Sequence, residues 1–176
     1  MLKIVPNNSI VCAIYIASSA VDAPMPIGGH SQINKAIFAT KANLVKNMGI
    51  VGDRWFGVNS LLRKDGEMIP NDHARNITFF EQEKIKEIQE MGFDIQPEDL
   101  RRSVLVKNFP LNDMVGKVFS IGGVRFIGSR LSHGCDRIEK MLKIDGINKA
   151  LYMRGGIRAA ILNDGIIKVG NKIYIE

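Results

Sequence analysis

The last part of the chain is a series of short apolar alternations cut by glycine. Segments 103–107, 117–121 and 124–129 come first, followed by 159–162, 166–169 and 173–175. Runs this short with a period of two read as strands, because successive strand side chains point to opposite faces. Asp164-Gly165, set between apolar alternations, predicts a hairpin turn, and Gly170-Asn171 predicts a second turn. Strands this closely spaced predict a β-barrel or a sandwich, with helices as decoration. The 176 residues suit one domain spanning 1–176. A composition of 45% hydrophobic and 24% charged residues excludes a disordered, collagen-like or disulfide-scaffold chain.

The remaining elements fit that frame. Residues 9–17 form an apolar strand, and 35–40 a second short one. Residues 22–29 hold Pro24, Pro26, Gly28 and Gly29 and read as loop. Residues 47–76 read as irregular, punctuated by four glycines and Pro70. A strand at 77–80 runs into a helix at 81–91, with Ile85, Ile88 and Met91 on one face and Gly92 as its stop. A second helix is expected at 132–144, with Ser132 as its N-cap and Ile138, Met141 and Leu142 on its apolar face. The longest apolar run, 10–17, is too short for the roughly 20 residues a bilayer span needs. Pro6, Asn7 and Asn8 interrupt the weak likeness of the start to a signal peptide, so a cytoplasmic location is expected.

The candidate chemistry gathers around cysteine and arginine. Lys and Arg number 24 against 18 Asp and Glu, a net charge of +6 that suits an anionic ligand. From Arg130 to Arg158 seven basic residues face three acids, so much of the excess surrounds Ser132-His133-Gly134-Cys135-Asp136. At a helix start, unpaired backbone N–H groups favour a thiolate, which is both a nucleophile and a soft metal ligand. A small buried cysteine is the competing reading of Cys135. Cys12, inside an apolar strand, reads as core. The loop 49–57 places Arg54 for an anion and Trp55 for stacking; a structural turn with an Asp53–Arg54 pair explains it equally well. Arg75, Arg101 and Arg102 join Arg54 as candidates for one anion pocket. Arg154-Gly155-Gly156 either exposes backbone N–H groups to a ligand or forms a hairpin turn. Two cysteines and three histidines without paired spacing argue against structural zinc.

These residues together resemble the MOSC domain family, named after the C-terminal part of molybdenum cofactor sulfurase. The matching pieces run in the family's order: 52–57, 75–81, 92–102, 111–117, 121–122, 128–131, Cys135, 154–156 and 169–173. The resemblance implies a β-rich α+β fold, a mixed β-barrel similar to the pyruvate kinase barrel domain, with two or more short helices. It implies that Cys135 is the signature cysteine, carrying sulfur as a persulfide or ligating molybdenum in the molybdenum cofactor (molybdopterin). Arg54, Arg75, Arg101 and Arg102, with Asp53, His133 and Arg154, would contact that cofactor. Three positions depart from the pattern: Gly134 where relatives have proline, Ser103 where they have asparagine, and Trp55 where they have histidine.

The reading that follows is a stand-alone MOSC protein that binds molybdenum cofactor or a pterin precursor and carries sulfur or ligates the metal through Cys135, working with a cysteine desulfurase or a molybdoenzyme partner. No pyridoxal phosphate is expected in this chain. A second reading is a molybdenum-dependent reductase of N-hydroxylated compounds, which needs a separate redox partner because no flavin or iron–sulfur pattern is visible. A third is a basic β-barrel that binds without catalysis. Nucleic acid is the least favoured ligand, since no strand alternates basic and aromatic residues.

Overall fold

A computed structural model describes residues 6–18, 36–62, 65–134 and 136–176. In chain order the strands are β1 (Ile10–Ile16), β2 (Ile37–Ala39), β3 (Lys41–Val45), β4 (Gly49–Ile50), β5 (Ser60–Leu62), β6 (Met68–Pro70) and β7 (Ile77–Glu81). Helix α1 (Gln82–Glu90) follows, then β8 (Val104–Lys107), β9 (Val118–Ile121) and β10 (Val124–Leu131). Helices α2 (Asp136–Leu142) and α3 (Ile147–Ala150) precede β11 (Ile157–Ile161), β12 (Gly165–Lys168) and β13 (Ile173–Ile175). The expected loop at 22–29 lies outside the described residues, as does Cys135.

Eight strands form one mixed sheet in the order β13-β9-β10-β11-β7-β8-β1-β2. Every neighbouring pair is antiparallel except β7 with β8. The sheet curls back on itself. Ile10 bridges Lys172, the Val11 amide donates to Asn171 O at 3.0 Å and the Ile173 amide to Ser9 O at 3.1 Å. These bonds seam β1 to the chain entering β13, leaving β2 as a flap on the same edge further along β1. The expected mixed barrel is present.

Side-chain alternation sorts the apolar residues into two cores. On β7, Ile77 and Phe79 face into the barrel, while Phe80 faces the helices outside. On β8, Val104 and Val106 face in and Leu105 faces out. A bulge between Val11 and Ala13 keeps β1 in phase, so Val11 and Ile14 stay inside. Phe79, Phe119 and Phe126 pack at the barrel centre with ring centroids 5.2 to 5.4 Å apart. The outer core joins Phe80 and Leu105 to Ile85 and Ile88 of α1, Ile138 of α2 and Ile147 of α3.

Several expectations need correction. Met91 is 54% exposed, because α1 ends at Glu90 and only Ile85 and Ile88 turn inward. Gly92, at φ +94, does stop the helix. The Asp164-Gly165 hairpin does not form. The chain crosses there from β11 to β12, and β12 pairs with β3 in a separate three-stranded sheet. The Asp164 carboxylate accepts the Lys46 amide at 2.7 Å instead of closing a turn. The tight turn of the barrel is Gly122-Gly123 between β9 and β10, both with positive φ. Region 47–76, read as irregular, holds β4, β5 and β6, each only two or three residues long. The second helix starts at Asp136, not Ser132. Ser132 continues β10, held by its amide donating to Gly156 O at 2.7 Å.

Candidate functional site

Ser103, Thr78, Arg158 and Arg130 form a row across β8, β7, β11 and β10. Arg158 is in register with Thr78 on one side and with Arg130 on the other. The Ser103 amide donates to Thr78 Oγ1 at 2.8 Å, and the two hydroxyls lie 3.1 Å apart. Ile77, Phe79, Ile157 and Ala159 face the barrel interior, so Thr78 and Arg158 face outward. Above this row is a cleft of about 840 Å³, measured out to bulk solvent.

Four chain segments wall the cleft. The loop after β4 brings Asp53, Arg54 and Trp55; the approach to β7 brings Arg75 and Asn76. The approach to β8 brings Leu100, Arg101 and Arg102; the exit of β10 with α2 brings His133, Gly134, Ile138 and Met141. Among the described residues, the lining therefore holds five arginines and one carboxylate. Cys135 follows Gly134 directly in the chain but lies outside the described residues. Of the other candidates, Asp53, Arg54, Arg75, Arg101, Arg102 and His133 all meet in this one cleft. Arg154 does not. Its Nε donates to Glu87 at 3.0 Å on the outer face of α1.

Each wall has an identifiable support. Asp53 is an anchor for its loop: Oδ1 accepts the Trp55 amide at 3.0 Å and Oδ2 the Ala17 amide at 3.2 Å. Burial pushes its carboxyl above the usual range, opposed by Arg54 and by these amides. The Arg54 amide donates to Ala17 O at 2.9 Å, which ties the loop to the end of β1. Arg102 donates from Nη2 to the carbonyls of Ser132 at 3.3 Å and His133 at 3.4 Å, bracing the segment before Cys135. The His133 ring stacks on Tyr152, 5.1 Å between centroids and 17° from parallel.

The glycines here serve close backbone approach. A Cβ on Gly155 would lie 1.8 Å from Ser132 O, and one on Gly156 would lie 1.9 Å from Phe79 O. Close packing thus explains Gly155-Gly156, rather than either an exposed N–H cradle or a hairpin. A Cβ on Gly134 would lie 2.9 Å from Asn148 O, so any other residue here would force the neighbouring backbone to shift.

At the cleft, the buried donors Arg54 Nε, Arg101 Nη1 and Asn76 Nδ2 find no hydrogen-bond partner among the described residues. Burial lowers the pKa of Arg54, and the nearby charge of Arg101 lowers it further, against Asp53. Burial also lowers that of Arg101. Two guanidinium groups crowd together, desolvated and with donor capacity unused. An anion with several acceptor oxygens answers both needs. Arg101 itself is held at φ 53, ψ 34, a left-handed conformation that is strained for a residue with a Cβ.

Sequence reasoning missed Asn76, Thr78 and Arg158 as lining residues. Arg158 carries a faint signal, a charge at the polar position of an otherwise apolar alternation. Only the strand register brings it to Thr78 and Ser103.

No family model matches the chain, and no curated protein matches it. Solved structures do. The YuaD protein from Bacillus subtilis superposes with a TM-score of 0.73 over 95% of each chain, at 20% identity. YiiM from Geobacillus stearothermophilus gives a TM-score of 0.66 at 10% identity, covering 96% of this chain and 75% of that one. YiiM from Escherichia coli gives 0.58 at 12% identity, covering 93% and 69%. The fold is MOSC-like. In this MOSC-like barrel the cleft lies on the outer face of the sheet, at the level where β7 and β8 begin. No helix of the described residues is long and apolar enough to cross a membrane.

Proposed function

We propose that this MOSC-like protein binds the molybdenum cofactor, or a pterin precursor of it, in the arginine cleft, and that Cys135 carries sulfur to it or ligates its metal. The observation that carries the reading is the set of buried donors without acceptors, Arg54 Nε, Arg101 Nη1 and Asn76 Nδ2. A phosphate ester and the ring oxygens and nitrogens of a pterin are acceptors of the kind these donors lack, so the residues fit the group. Arg54 and Arg101 would hold the phosphate, Asn76 the ring edge, and Trp55 offers a stacking face. Bound there, the cofactor would supply a metal able to take a sulfur ligand and exchange electrons.

The protein's own residues do the rest. Asp53 fixes Arg54 and Trp55 by accepting two backbone amides. Arg102 holds the carbonyls of Ser132 and His133, and so sets the path of the chain into Cys135. Ile138, Met141 and Leu100 form the apolar side that limits water. A cysteine desulfurase would be the sulfur source and a molybdoenzyme the recipient.

The test is metal, pterin and intact-mass analysis of protein purified without oxygen, wild type beside Cys135→Ala and Arg54→Gln. Bound molybdenum or pterin lost in Arg54→Gln, or a one-sulfur mass gain lost in Cys135→Ala, supports the reading. Bare wild-type protein, still bare after incubation with a cysteine desulfurase, cysteine and cofactor, overturns it.

A further inference from the structure

The walls of the cleft are of two kinds. Arg54 Nε, Asn76 Nδ2 and Arg101 Nη1, which find no acceptor among the described residues, come from the loop after β4 and the approaches to β7 and β8. Asn76 is only 5% exposed, so its unused amide hydrogens are costly unless a ligand takes them. The remaining wall is the exit of β10 with α2, where His133 and Gly134 stand with the apolar Ile138 and Met141. Cys135 is one peptide beyond Gly134, about 3.8 Å from it between Cα atoms. Arg102 steadies that segment through the Ser132 and His133 carbonyls. Hard, charged donors therefore line some walls, and the segment that carries the cysteine forms another with apolar neighbours.

We infer that the cleft takes a thiosulfonate anion, of which thiosulfate is the simplest, as a direct sulfur donor to Cys135. This rests on the proposed sulfur-carrying role of Cys135 and names the small molecule that loads it. A thiosulfonate is divided as the cleft is, with acceptor oxygens at one end and a soft sulfane sulfur at the other. A phosphate ion has oxygens at every corner and leaves the cysteine wall unused. The oxygens answer Arg54, Arg101 and Asn76, and the sulfane sulfur meets the wall that carries Cys135. With thiosulfate the step is a displacement at sulfur. The Cys135 thiolate attacks the sulfane sulfur and a new S–S bond forms. The bond between sulfane and sulfonate sulfurs breaks, and its electron pair leaves on sulfite. The products are a Cys135 persulfide anion and one sulfite, with no proton moved and no outside oxidant or reductant needed. Negative charge gathers on the departing oxygens, where the unused guanidinium donors are. Sulfite must leave before a phosphate ester can occupy the same donors, so sulfur loading and phosphate binding exclude each other.

The experiment adds thiosulfate to the intact protein without oxygen and follows sulfite release and intact mass. Wild type is expected to release one sulfite per chain and to gain one sulfur, and Cys135→Ala to do neither. Cys12→Ser should match wild type, since Cys12 lies on β1 against Gln82 and does not line the cleft. Arg54→Gln and Arg101→Gln should each slow sulfite release by about tenfold or more, and Arg125→Gln, a charge control paired with Glu176 outside the lining, should not. Inorganic phosphate should raise the thiosulfate concentration that half-saturates wild type and leave the limiting rate unchanged, a readout that needs no variant to fold. Potassium chloride at equal ionic strength should not reproduce it. Sulfur gained by Cys135→Ala, an unchanged rate in both arginine variants, or indifference to phosphate overturns the inference. A wild type inert to thiosulfate but loaded at Cys135 by a cysteine desulfurase and cysteine loses this inference and keeps the carrier reading. A wild type that neither source loads loses both.

Discussion

The inner and outer faces of β7 and β11 follow opposite rules. Inside, Ile77, Phe79, Ile157 and Ala159 are at most 1% exposed and join one apolar core. Outside, one residue along, Thr78 and Arg158 line a cleft that crowds five arginines around one carboxylate. The inner face is complete as it stands, with Phe79 edge-on to Phe119 and Phe126 and those two rings stacked. The outer face is not, since buried donors there have no acceptors among the described residues. The same strands thus hold the stability of the barrel on one side and an unmet electrostatic demand on the other. That division shows where evolution can place a binding site cheaply: on the side of a strand that the core does not use.

Four changes would break or sharpen this contrast. The largest effect belongs to the inner face. Phe79→Ala removes a ring from the centre of the aromatic cluster and is expected to cost about 3–5 kcal/mol in chemical denaturation. A loss under about 1 kcal/mol would mean that the barrel core is not the main source of stability.

The next concerns Glu81, at the end of β7. Burial raises its carboxyl to about 7, against Lys84 and the Leu111 amide, with Glu83 and Glu87 raising it further. The unfolded chain releases this proton near its ordinary value of 4.5, so the folded state holds the extra proton between about 4.5 and 7. Stability from this group is therefore present at low pH and lost as pH rises through that window. After solvent screening the swing is about 1–2 kcal/mol. Glu81→Gln should flatten the fall between pH 5 and 8 in thermal melts, and an unchanged slope would assign it to other groups.

Arg101→Gly tests the outer face from its strained residue. Glycine takes φ 53 without a Cβ penalty, so the free protein should gain about 0.5–1 kcal/mol while its anion affinity falls. A stabilised variant that still binds phosphate normally would deny Arg101 its role. The smallest effect is expected for Arg154→Ala. Its partner Glu87 is an exposed group already paired with Lys84, so the change should cost less than about 1 kcal/mol and leave anion affinity unchanged.

Much of the barrel could be read from residues alone. Strands β7 to β13 announce themselves as short apolar runs, and glycine marks many of their ends. Strands β4 to β6 do not, because two or three residues are too few to show a period. The hairpin misreading at Asp164-Gly165 has a related cause. Local turn chemistry cannot tell whether the next strand stays in its sheet, and here Asp164 is claimed by the Lys46 amide. At the site, the arginines of the loops were legible as charge in glycine-rich or turn-like surroundings. Arg154 carried the same signature and fails because Glu87, distant in sequence, reaches it first. Asn76 and Thr78 were silent, since a polar residue on a strand gains meaning only from its neighbours across the sheet.

The seam between Ile10 and Lys172 joins the first strand to the last. While the chain is being made, β1 can pair with β8 and, over residues 14–16, with β2, but its Ile10 and Val11 end stays uncovered until residues 171–173 have been made. Contacts this distant in sequence form slowly. During that interval the nascent protein presents a short bare edge at Ile10 and Val11, a template for pairing with other chains. Refolding yield of the purified protein should accordingly fall steeply with concentration, and a nascent chain stalled short of Lys172 should be the species that holdase chaperones retain.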